Sequence, residues 1–359
     1  MGLPTVPALL TRESPRGGVV PPRGTSNQIG CQEGKTVAHL LEEIDGGHSF
    51  IGRTDAWHRL GQILDEDITT EKIHARAPWI LSPVEMRTTY VDGGLEGLRA
   101  TPRTGAVVRT YDQKIVGEGL SREGYGIVQS SEAWQFAQDI VQDTMPCVSA
   151  GTIREGRQFF FTFERGDQVI AGIPMTSTVS VVGSHDGSMK VQVLFGKTVV
   201  VCANTMSWAI SGAADRMLFR HTINVGDRMA EAKAVIGAFH THDAEANKLI
   251  HRLATMDIRN FEPLLDGVLP CIEEQGRSQT MRDYARSTVR SYLESEYTDG
   301  FQNTAWAFVQ AVNTYEGWNK PTRKSHNVPQ SDRIAVRQFD ALVKQHTPLT
   351  DKALSLVLA

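Results

Sequence analysis

The 359-residue chain has 40% hydrophobic and 22% charged residues and a formal net charge of -4. That length supports more than one hydrophobic core, and the composition is ordinary for a soluble globular protein. The negative total excludes a global positive field, so any contact with nucleic acid or anionic membrane rests on local patches.

Cys31, Cys147, Cys202 and Cys271 are scattered without a C-x-x-C pair. This argues against a zinc ribbon and a disulfide scaffold, and a reducing cytoplasm is the expected compartment. No run reaches the roughly 18 apolar residues of a membrane span, so no membrane partner is expected. The start lacks the basic and apolar regions of a signal peptide.

Residues 1–36 carry Pro4, Pro7, Pro15, Pro21 and Pro22 with no apolar period. They read as a disordered extension that cannot offset its ordering entropy. Cys31 to Lys35 can be encoded by a purine-rich stretch resembling a ribosome-binding site just before Val37. Hence a start at Val37 is the sharper expectation, and an intact mass including Met1 to Thr36 would end it.

Residues 37–212 read as a β-rich core. Val37 to Ile44 is a short helix candidate, and Thr69 or Thr70 caps a helix through Ala75 that Pro78 limits. Val84–Val91, Ala106–Thr110 and Lys114–Gly117 are strands, the last two joined by Tyr111-Asp112-Gln113. Ser130 or Ser131 caps a helix with Ala133, Trp134, Phe136, Ala137, Ile140 and Val141 at helical spacing. Val148–Ile153 and Gln158–Glu164 form a hairpin around Arg154-Glu155-Gly156-Arg157. Thr178–Val182 and Val191–Val201 flank His185-Asp186-Gly187-Ser188 and complete a sheet of about seven strands. Met206 to Ile210 reads as helix.

Residues 213–359 read as a helical region: Asp227–Phe239, Ala244–Met256, Phe261–Glu274, Gln279–Tyr297, Asn303–Tyr315, Ser331–Gln345 and Leu349–Leu358. Strands first and helices after is the α+β pattern: a largely antiparallel sheet core, then a C-terminal helical region.

Trp57-His58-Arg59-Leu60-Gly61, His185-Asp186-Gly187-Ser188 and Val200-Val201-Cys202-Ala203-Asn204-Thr205 carry a family resemblance. So do Val107-Val108-Arg109-Thr110, Arg220-His221-Thr222 and Thr304 to Tyr315. With these the chain resembles the phage/plasmid-like protein family, a bacterial and phage domain of unknown function, number 932, over roughly Ala38 to Lys344. It departs at Ala203, Thr110 and Tyr315-Glu316-Gly317-Trp318. The resemblance implies a phage, prophage or plasmid gene and brings no agreed activity, catalytic residues or cofactor.

His185 and Asp186 supply either a metal-ligand pair or acid/base couple, or an Asp-Gly turn with Gly187 at positive φ. Cys202 is either a nucleophile with His185, His221 or His58 as base, or a small buried hydrophobe. Asn204 and Thr205 cap the helix expected from Met206, whose free amides could seat an anion. Trp57-His58 either stacks a base or pins a loop. His240, His242 and His251 lack an H-E-x-x-H pattern and read as a solvated helix face.

Arg282, Arg286 and Arg290 share one helix face. Lys320, Arg323, Lys324, Arg333 and Arg337 form a second group, and Arg216, Arg220, His221 and Arg228 a third. These bind phosphates, or are solvated surface partly paired with Glu294 and Asp283. The leading expectation is a mobile-element protein handling single-stranded DNA. Trp57, His58, Arg109, Arg154, Arg157 and the basic groups would be its contacts, with a homo-oligomer as a further partner. The alternatives are a metal-dependent phosphoester hydrolase using His185, Asp186, Asn204 and His221, and a non-catalytic host-interaction protein.

Overall fold

The computed structural model describes residues 43–44, 47–48, 50–53, 62–64, 66–92, 97–141, 144–199, 205–206, 216–219, 235–269, 279–294, 300–322, 330, 333–334, 337, 341 and 347–359. All fall in the unit Val37–Ala359. Both the extension expected at 1–36 and the boundary expected at 212/213 lie outside the described residues.

Strands dominate the first half. β1 (Glu43–Ile44) pairs with β2 (Gly47–His48). Ile44 thus belongs to a strand, not to the helix expected there. β3 (Phe50–Gly52) and β4 (Gln62–Ile63) make the one parallel pairing among the described strands. In α1 (Thr70–Arg76) the Thr69 hydroxyl accepts from Lys72 N, as the capping pattern requires.

β5 (Val84–Asp92), β6 (Leu98–Arg109) and β7 (Ile115–Ser121) form a separate three-stranded sheet instead of joining one seven-stranded sheet. At its outer edge Gln129 plugs β5: Oε1 accepts from Val84 N at 2.9 Å and Nε2 donates to Val84 O at 2.8 Å. A side-chain amide there stands where a neighbouring strand would. Register breaks between Thr88 and Tyr90, opposite the Thr101–Thr104 stretch of β6. Beyond that break β6 is solvent-exposed on both faces, since consecutive residues alternate sides.

α2 (Ser130–Val141) begins one residue early: Gln129 O accepts from Ala133 N, and Glu132 Oε2 accepts from Gln129 N. Gln129 is therefore the cap, and Ser130 lies buried inside the helix.

The main sheet runs β12-β11-β10-β9-β8-β3-β4, with β8 (Cys147–Ile153), β9 (Gln158–Ile170), β10 (Ile173–Ser184), β11 (Val191–Val199) and β12 (Thr205–Met206); β13 (Arg216–Phe219) also pairs with β11. Thr205 and Met206 pair with Thr198 and Lys197. Met206, the expected start of a helix, therefore lies in a strand, and the rest of that segment, 207–210, is outside the described residues. A hydrogen-bonded edge on β11 outcompetes the weak helical signal of a short apolar run.

Phe159, Phe161 and Phe163 of β9 with Val179 and Val181 of β10 meet α1 and α2 in one core. A second core gathers α3 (Val235–Thr255), α4 (Glu262–Val268), α5 (Gln279–Leu293), α6 (Ala305–Thr314) and α7 (Pro348–Leu358). Residues Ala305–Asn313 of α6 are all buried, so this helix is the axis around which the others pack. Ile170, Ile173 and Met175, at the far end of the β9–β10 hairpin, enter the same core. The architecture is α+β.

Candidate functional site

Three turns meet at one end of the main sheet. The β8–β9 turn holds Arg154 (φ 53°), Glu155 (φ 61°) and Gly156 (φ 79°) in left-handed conformations. Its Arg157 O accepts from His185 N at 2.7 Å. In the β10–β11 turn Asp186 Oδ1 accepts from Ser188 N at 2.9 Å, and Gly187 has φ 71°. This is the Asp-Gly turn geometry. His185 is buried, its ring 5.1 Å from that of Phe159. Its carbonyl accepts from the Tyr125 hydroxyl at 2.7 Å, just past β7. Burial, then the nearby Asp186 charge, push the Tyr125 phenol well above its usual range.

His185 and Asp186 thus serve the turn through backbone and carboxylate. Asn204 and His221, the other members of the expected site, lie outside the described residues, as do Trp57, His58, Arg220, Cys202, Arg323 and Lys324. Among the described residues no group of three or more His, Cys, Asp or Glu could hold a metal ion.

The expected basic contacts separate into two kinds. Arg109 is 2% exposed and forms a fork with Asp112, Nε to Oδ1 at 2.9 Å and Nη2 to Oδ2 at 2.6 Å. It closes the Tyr111–Gln113 turn and does not face a ligand. Arg282, Arg286 and Arg290 do share one face of α5, but they bridge to Asp266 and Glu262 of α4, not to Asp283 or Glu294. Arg286 spans both acids. The Arg290 bond chiefly holds the Glu262 carboxyl below its usual range, and the Arg286 bond does the same for Asp266. These are surface pairs, so Arg286→Ala is expected to lower stability by only about 1 kcal/mol, a difference that shrinks in high salt when followed by urea titration. Arg337 donates to the carbonyls of Gly317 and Lys320, tying down the chain after α6.

Arg154 and Arg157 belong to another part of the fold. They stand on the turn beside His185, Arg157 exposed and Arg154 half-buried, and Lys190 is exposed on the neighbouring turn. The β5–β6 ribbon adds exposed Arg99 and Arg103, and Arg122, whose N donates to Arg103 O, continues from β7. The ribbon also exposes Tyr90 (59%), Val91 (53%) and Leu98 (73%). Tyr90 lies opposite Ala100 and Val91 opposite Arg99. Opposed residues share a face, so Tyr90 and Leu98 lie on one face of the ribbon and Val91 and Arg99 on the other, an exposed ring and a guanidinium on either side of a two-stranded edge.

The sequence reading missed a second polar cluster where α3 crosses the sheet. Lys197 Nζ lies 2.7 Å from Asp243 Oδ1 and donates to Ser177 Oγ at 2.8 Å. Ser177 Oγ donates to Asp243 Oδ1 at 2.6 Å and accepts from Gln168 Nε2 at 2.6 Å. Burial raises the Asp243 carboxyl, but the Lys197 and Ser177 bonds outweigh it and hold the carboxyl below its usual range. For Lys197 burial wins over the Asp243 bond, and the ammonium sits below the usual lysine range. The serine's proton is committed to the carboxylate and its lone pairs to two donors, so the arrangement fixes α3 on the sheet and leaves no nucleophile. A signal for it was present. Lys197 is in step with Val191, Val193 and Phe195 on a strand, which places it on the core face. His242, read as solvated, is buried against Phe195, while His240 and His251 are exposed.

No helix among the described residues is long and apolar enough to cross a membrane. A family model described as Domain of unknown function (DUF932) matches residues 119–338, a shorter span than the resemblance from Ala38 to Lys344. No curated protein and no solved structure matches the chain. The matched stretch contains the three-turn end and helices α2 to α6 but not α1, α7, Tyr90, Arg99 or Arg103.

Proposed function

The chain belongs to the family of the domain of unknown function DUF932, and from that premise, which carries no activity, we propose that it binds single-stranded nucleic acid through the β5–β6 ribbon. The observation behind this reading is the ribbon itself: exposed on both faces past its register break, it carries Tyr90 and Leu98 on one face and Val91 with Arg99 on the other, and Arg103 at the break is exposed as well. A strand wrapped around the edge of this two-stranded ribbon stacks bases on the Tyr90 ring at one face and brings phosphates to Arg99 at the other, a combination that needs no sequence readout. The paired arginines of α5 play no part. A role in phage or plasmid DNA metabolism, in the cytoplasm, belongs to the same proposal.

The hydrolase alternative draws less support, because Asp186 is engaged by Ser188 and the His185 ring packs against Phe159. The test is anisotropy with labelled oligothymidylate at low salt. Binding is expected to weaken with salt at a slope of about -0.7 per phosphate neutralised. Tyr90→Ala is expected to cost about 1–3 kcal/mol of affinity and Arg99→Glu with Arg103→Glu to abolish binding, with melting unchanged. Wild-type protein that binds no oligonucleotide at low salt overturns the reading.

A further inference from the structure

The ribbon sheet is seated on the His185–Ser188 turn through close contacts. A Cβ at Gly117 of β7 would lie 3.1 Å from Asp186 Cα and 3.2 Å from His185 O. A Cβ at Gly187 would lie 3.1 Å from the Tyr125 ring. The Tyr125 hydroxyl donates to His185 O at 2.7 Å, and Tyr125 N closes the turn after β7 on Ser121 O at 3.2 Å. His185 N is in turn held by Arg157 O at 2.7 Å. One short chain of hydrogen bonds, through the Tyr125 side chain and the His185 backbone, therefore joins the segment after β7, the His185 turn and the β8–β9 turn. The ribbon carries Arg99 and Arg103 and β7 leads into Arg122, while the two turns carry Arg154, Arg157 and Lys190. Glu118, Glu123, Glu155 and Asp186 are the acids on β7 and the turns, four against these six cations.

We propose that the His185–Ser188 turn is a positioning socket, with Tyr125, Gly117 and Gly187, that holds the ribbon and the Arg154/Arg157/Lys190 turns as two halves of one track for a single nucleic-acid strand. The inference rests on the reading above and adds the second half of the site and its geometry. Two patches held at fixed spacing act on one ligand as a bivalent pair, so a strand long enough to reach both gains affinity that a short one cannot. Tyr125, Gly117 and Gly187 touch no strand; they set the spacing. The motif at His185 then has a mechanical duty and no chemical one.

The experiment compares a short and a long oligothymidylate, about 8 and about 30 nucleotides, chosen around the roughly 4–16 nucleotide footprints of single-strand platforms. Wild type is expected to bind the long strand at least about 100-fold more tightly. Tyr125→Phe removes the hydroxyl bond and keeps the ring; Gly117→Val pushes the sheets apart. Both are expected to leave short-strand affinity unchanged and to cut the long-to-short ratio by about tenfold or more. Arg157→Glu with Lys190→Glu is expected to lower long-strand affinity similarly. A merely structural role would move melting temperature and both affinities together, so melting is recorded for each variant. Should Gly117→Val not fold, Tyr125→Phe and the charge reversals decide. If wild type binds both strands but its ratio survives these changes, the socket is wrong and ribbon binding stands. If wild type binds neither strand, ribbon binding itself has failed.

Discussion

Replacing Lys197 by methionine is expected to cost about 3–5 kcal/mol of unfolding free energy, because it strands the Asp243 carboxylate beneath α3. Lys197 is 2% exposed and Asp243 7%. The remaining donor to that carboxylate is Ser177 at 2.6 Å, with Arg165 at 3.7 Å from Oδ2. Asp243→Asn is expected to be milder, since the amide still accepts from Lys197. Lys197→Met together with Asp243→Leu is expected to recover most of the loss, as apolar replacement of a buried pair is often neutral. Urea denaturation of the three variants checks this. The pH dependence follows from Asp243. Its carboxyl titrates lower folded than unfolded, so its contribution is complete above the unfolded value near pH 4 and is lost as pH falls through the lower folded value. The gap between wild type and Asp243→Asn should therefore narrow on acidification. A gap that widens would count against the pairing.

Glu316→Ala is expected to destabilise by about 2–4 kcal/mol, through the loss of charge-assisted bonds to a helix end. Glu316 sits in the π turn Tyr315–Asn319 that continues α6, and it is buried. Its carboxylate accepts from the backbone N of Leu349 at 3.1 Å and of Thr350 at 2.9 Å, and from the Thr350 hydroxyl at 3.0 Å. Thr347, the residue before α7, makes no side-chain cap bond. One helix thus supplies the anion for the start of another, where free amides and the dipole favour negative charge. Without it, two buried amides are orphaned where α7 packs Leu349, Ala353 and Val357 into the second core. Glu316→Gln should retain part of the effect. Amide hydrogen exchange at Leu349 and Thr350, beside thermal melting, distinguishes loss of this cap from general loosening.

Several local signals in the chain were sound, though the helices read at Ile44 and Met206 were not. Thr69 as a cap, the Tyr111–Gln113 turn, the spacing of Trp134, Phe136 and Ile140, and the Arg154–Arg157 hairpin turn all depend on neighbours within a few residues. Longer-range features were not legible. The β9 strand, expected to end at Glu164, continues to Ile170 through Arg165–Gln168, where β10 pairs with it. Asp227–Phe239 reads as amphipathic and Ala244–Met256 as continuing it, with no partner assigned to the polar residues His240 to Asp243 between them. Val235–Thr255 is one helix, and the polar face there meets Lys197 and Ser177. Arg109 looked like a contact because strand-end arginines often are, yet Asp112 three residues on claims it. In each case the deciding partner lay on another element, or across a turn whose closure the composition did not specify.

The long β9–β10 hairpin leaves its mark on how the molecule comes apart. Its base is packed by phenylalanines under α2, while its tip, Ile170 and Ile173, is clamped among the C-terminal helices. Neither region can melt alone without dragging a paired strand out of the other. The hairpin acts as a shared beam, and loss of either anchorage is transmitted along its ladder to the far end, which couples regions that composition alone would divide.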